Sequence, residues 1–118
     1  MTPRILTLAD CELSLEMEPD CTSLEGNVSC IDDETDAANV AHVRDQIERG
    51  NDWAWCVVTV RLRYRGLEAT DTLCGCSYRS REDFTAPGGY YDDMVHACLA
   101  ELRAQIGDLC RTFCAEAR

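Results

Sequence analysis

Nine cysteines stand out among the residues able to do chemistry: Cys11, Cys21, Cys30, Cys56, Cys74, Cys76, Cys98, Cys110 and Cys114. Cys74-Gly-Cys76 sets two thiols on one face of an extended segment, and Cys110 and Cys114 stand at i, i+4 on one side of a helix. Four thiolates can hold a tetrahedral zinc ion. Neither pair has the C-x2-C spacing of a zinc knuckle, however, so no metal and no cofactor is expected. Nine is odd, which rules out full internal pairing. The thiols are expected to be reduced, most of them acting as small buried apolar groups.

A thiol nucleophile needs a base beside it. The chain has two histidines, His42 and His96. His96 and Cys98 are two apart on a helix and point different ways, whereas Asp92 is four residues from His96. The nucleophile-elbow, zincin, P-loop and dinucleotide signatures are absent from the sequence. The carboxylate pairs Asp32-Asp33, Glu82-Asp83 and Asp92-Asp93 are of a kind that holds magnesium in phosphoryl chemistry. Their spacing matches no calcium loop, and they read more simply as helix-start or loop charge. The expectation is a protein that is not an enzyme.

Charge carries more information. There are 22 acidic and 11 basic residues, net −11, and every base is arginine. Residues 1–36 hold ten acids answered only by Arg4. Such a surface repels phosphate, so direct nucleic-acid binding is not expected; it attracts a basic surface of another protein. The candidate partner-binding residues are Glu12, Glu16, Glu18, Asp32, Asp33, Glu34 and Asp36. The simpler alternative is that these acids only keep the chain soluble. A second candidate set is Arg61 and Arg63 beside Trp53 and Trp55, a face suited to a small anionic ligand such as a nucleotide. Its simpler alternative is charge balance with neighbours such as Glu68.

The elements that must position these residues follow from periodicity. Cys11, Leu13, Leu15 and Met17 alternate with Glu12, Ser14, Glu16 and Glu18, a strand with one wet face. Residues 20–34 read as an acidic loop, and residues 36–49 as a helix with Val40, Val43 and Ile47 on one side, stopped by Gly50-Asn51. Trp53 to Tyr64 reads as the strongest strand, with Val58, Val60 and Leu62 on its apolar face. It returns through Arg65-Gly66 as a strand over 67–78. A two-residue loop sets Arg63 opposite Glu68 and puts Asp71 on the apolar side; a three-residue loop sends Thr70, Thr72, Cys74 and Cys76 inward instead. Residues 79–89 read as a loop. From Tyr90, an apolar stripe through Tyr91, Val95, Cys98, Leu102, Ile106, Leu109 and Phe113 marks a long helix that Gly107 weakens. The expected fold is a single α+β domain over residues 1–118, in the order β-α-β-β-α. Its antiparallel sheet has three to four strands around a central 53–78 hairpin, with two helices on one face.

No run reaches the roughly 18 apolar residues of a membrane span, and the start lacks the pattern of a secretory signal. The expectation is therefore a cytoplasmic protein with no membrane partner.

In GNDWAWCVVTV, CGCSYRSREDF and APGGYYDDM, over roughly residues 36–106, the chain resembles small acidic proteins of tailed bacteriophages and prophages. No activity or catalytic residue is established for that group. The resemblance implies a phage setting within a bacterial host, and by analogy an accessory protein that binds and inhibits a host protein, anti-defence or anti-CRISPR-like in role. The alternatives are a nucleotide-binding protein and a structural or regulatory phage protein.

Overall fold

The computed structural model describes residues 4–28 and 32–116, with side chains through residue 113. Cys30 and the side chain of Cys114 lie outside the described residues. The fold is α+β. A three-stranded antiparallel sheet in the order β1-β2-β3 is built from β1 (Glu12–Pro19), β2 (Cys56–Tyr64) and β3 (Leu67–Cys76). The helices are α1 (Asp33–Glu48), the short α2 (Arg81–Phe84) and α3 (Tyr90–Glu116).

The hairpin takes the two-residue register. Tyr64 pairs with Leu67, Arg63 with Glu68 and Thr59 with Thr72. Arg65 and Gly66 both have positive φ, 48° and 82°, the backbone of a tight turn whose twist matches that of the strands it joins. Asp71 consequently faces the α3 side, half-buried opposite Val60. Within the hairpin, β2 is the central strand and β3 an edge, because β1 pairs along the whole other side of β2.

Several expected boundaries move, and β3 ends at Cys76 rather than at residue 78. Strand β2 begins at Cys56 rather than Trp53, because the Asn51 side chain accepts the Trp53 N–H at 3.1 Å and coils Asp52–Ala54 into a 3-10 turn. The 79–89 loop contains α2, capped by Ser80, whose hydroxyl accepts the Asp83 N–H at 3.1 Å. This single turn carries Phe84 into the core, where its ring meets those of Trp53, Tyr78 and Tyr91. Helix α1 starts three residues earlier than its apolar stripe suggests, on the Asp32 cap. It ends where expected: Gly50 at φ 93° donates to Ile47 O, and Asn51 donates to Gln46 O, a Schellman closure.

Helix α3 lies across one face of the sheet. Cys56, Val58, Val60 and Leu62 on β2 are fully buried against Met94, Val95, Cys98, Leu99 and Leu102. Helix α1 packs mainly on the Asp52–Ala54 turn. Its Val40 and Val43 form a second cluster with Leu24, Ala54 and Trp55, while Ile47 is left exposed. Gly107 does not interrupt α3, which runs unbroken for 27 residues.

Candidate functional site

Alternation along the strands separates the inner face from an outer one. On β1 the outward side chains are Glu12, Ser14, Glu16 and Glu18; on β2, Val57, Thr59, Arg61 and Arg63; on β3, Glu68, Thr70 and Thr72. Antiparallel pairing sets Glu12 opposite Arg63 and Ser14 opposite Arg61. The two candidate sets of the sequence, the acids of the first strand and the arginines of the second, therefore share one open face. Sequence distance hid this, since 45 residues separate Glu16 from Arg61.

Their adjacency changes what each can do. The Arg61 guanidinium donates to Glu16 Oε1 at 2.5 Å and lies 2.5 Å from Glu68 Oε1 through Nε. The Nε contact is off the N–H axis, so it is charge proximity without a hydrogen bond. Arg63 stands 3.7 Å from the other oxygen of Glu68. Arg61 is thus clamped between two carboxylates, and an incoming anion has to displace them.

The tryptophans depart from the expected ligand face. Trp55 is buried, donates through its indole N–H to Thr22 O at 2.9 Å, and lies against Gly75. A Cβ at Gly75 would come within 3.3 Å of the indole, and φ there is 64°, so a side chain would be strained and would crowd Trp55. Asp20 fastens the same corner by accepting from Thr22 N and Gly75 N, both at 2.8 Å; these two N–H groups hold its carboxyl below the usual carboxylate range. Trp53 is half-buried on Phe84. The reasons differ: the 3-10 turn takes Trp53 out of the strand, whereas Leu24, Val40 and Val43 cover Trp55.

Several acids of residues 1–36 serve the local backbone. Asp32 caps α1 by accepting from Thr35 N at 2.7 Å, a hydrogen bond that lowers its pKa. Asp36 accepts from Gly26 N at 2.8 Å. Glu25 is held at a pKa of about 2 by hydrogen bonds from Arg44 and Ser23. Asp10 accepts from Thr7 N and pairs with Arg4. Among the described residues, the side chains of Glu12, Glu18, Asp33 and Glu34 are exposed and make no hydrogen bond or ion pair.

Cys56 and Cys76 face each other across the β2–β3 ladder, but the pair at 74 and 76 does not converge with Cys110. Cys74 and Cys76 share a cavity with Tyr90, at the start of α3, whereas Cys110 lies 20 residues further along that helix, roughly 30 Å away. Burial pushes the Cys56 thiol up to about 12 and the Cys76 thiol to about 11, values that keep both protonated and unreactive near neutrality. Among the described residues no group of three or more ligating side chains is placed to hold a metal. No helix of the described residues is long and apolar enough to cross a membrane. Comparison with protein-family models, curated proteins and solved structures finds no match.

Proposed function

We propose that this chain is a binding protein that docks its open, acidic sheet face and the start of α1 on a basic surface of another protein. In the phage setting implied by its motifs, it is an accessory factor that inhibits a host protein, as an anti-defence or anti-CRISPR-like protein does. The observation that carries this reading is the uncovered face itself: Glu12 and Glu18 project from it without an ion pair, and Arg61 is already neutralised by Glu16 and Glu68. Clustered acids of this kind accelerate encounter with a basic partner more than they deepen affinity. The nucleotide reading loses support for the same reason, since Arg61 is occupied and Trp55 is buried.

The test begins by capturing the partner from bacterial lysate at low and high salt. Association is then timed for a chain carrying Glu12→Lys, Glu18→Lys, Asp33→Lys and Glu34→Lys, with the Asp32 cap left in place. Association should slow by about tenfold or more, with dissociation little changed. A rate indifferent to both charge reversal and salt overturns the proposal.

A further inference from the structure

Helix α3 outruns the body it packs on. Its apolar stripe is fully buried at Leu102 and half-buried at Ile106, then exposed to 42% at Leu109 and 63% at Phe113. The molecule is correspondingly long, 65 × 25 × 22 Å. Steps of four, three and four from Leu102 through Ile106 and Leu109 to Phe113 are those of a coiled-coil seam. Beside the root of this overhang is a mostly apolar cavity of about 310 Å³, lined by Ile5, Leu6, Tyr64 and Ile106 together with Arg4 and Arg103, with Ile5 itself 70% exposed. A short helical extension without tertiary contacts, and with a glycine inside it, is marginal in water.

We infer that the α3 overhang is a homodimer interface, in which two copies cross antiparallel and each inserts Phe113 into the Ile5–Tyr64–Ile106 cavity of the other. Two features single out a second copy as the occupant. The knob and the hole sit on one chain, less than two helical turns apart between Ile106 and Phe113, which is the self-complementary arrangement a two-fold axis requires. Charge points the same way. In a chain of net −11, residues 103–113 carry two arginines and one aspartate, so this segment adds no acidic repulsion between copies. Arg4, on the cavity rim, is answered by Asp10 at 2.9 Å, and Arg111 pairs with Asp108.

Sedimentation equilibrium at tens of micromolar tests the inference on the full chain. The expected species has twice the 13.2 kDa chain mass. Phe113→Glu should raise the dimer dissociation constant by at least ~30-fold, the effect of removing an aromatic anchor from its pocket. Ile5→Glu, which lies outside the helix and leaves α3 intact, should do the same by closing the hole. A wild-type chain that is monomeric at these concentrations overturns the inference, as does a dimer that survives both substitutions.

Discussion

Val60 and Arg61 are neighbours on one strand and live in different physical worlds. Val60 is fully buried beneath α3, with Leu15 and Asp71 across the ladders on either side. Arg61 points to the other face, keeps 24% of its side chain exposed and is held by two carboxylates that are themselves half in water. The inner face derives its stability from apolar area removed from water, which tolerates no unpaired charge. The outer face is held by exposed ion pairs, which contribute little and can be exchanged for a partner's. This division gives one thin sheet a buried face that holds the core and an open face that does not.

The comparison breaks most visibly at its inner member. Val60→Asp should cost at least ~3 kcal/mol, because the new carboxylate is buried without a cation, and urea melts should show a chain unfolded or nearly so. A loss below ~1 kcal/mol would mean that the inner face is wet.

Alkaline pH sharpens the contrast next. Cys56 and Cys76 titrate near 12 and 11 in the fold, against 9.0 for an ordinary thiol. Their pKa is raised on folding, so the stability they contribute is fully present below pH 9 and declines as pH rises toward 11–12 and the unfolded chain ionises first. Urea midpoints should therefore fall from about pH 9 upward, and Cys76→Ala should flatten the slope. Thiol labelling near neutral pH should reach exposed Cys21, Cys74 and Cys110 well before Cys56, Cys76 and Cys98. Equal labelling rates would contradict the burial of the inner face.

The outer member should give the smallest effect. Arg61→Met removes the clamp on Glu16 and Glu68 yet should change stability by less than ~1 kcal/mol in the same melts. A loss as large as that of Val60→Asp would show that the open face is structural and unavailable for docking.

Much of this frame was legible from periodicity. The alternation at 11–18 and 53–64 and the 3.6-residue stripe of α3 are local patterns; β1 and α3 form on theirs, and β2 forms on the second from Cys56 onward. The hairpin register was open between two loop lengths. It is decided by the backbone at Arg65 and Gly66, where a non-glycine residue takes positive φ because the flanking ladders hold it there. Trp55 is lost to the ligand face because Leu24, Val40 and Val43 cover it, and Trp53 because the Asn51 side-chain turn overrides alternation. Asn51-Asp52 directly after a helix-stopping glycine was the signal that marked it. The short helix at Arg81–Phe84 announced itself only through Ser80 and Asp83, too few residues to show a period.

The acid excess, the two-sided β2 strand and the amphipathic α3 belong to the sequence alone, since composition and residue spacing need no partner to exist. The tertiary structure decided which acids are available. Capping, turn and cross-strand contacts engage Asp32, Asp36, Glu25 and Glu16, and leave Glu12, Glu18, Asp33 and Glu34 to face outward. It also decided where the α3 stripe loses its cover, because the sheet ends at Tyr64 while the helix continues to Glu116. A side chain's chemistry is set by its type, but whether it is spent depends on which atoms the folded chain brings within hydrogen-bond reach.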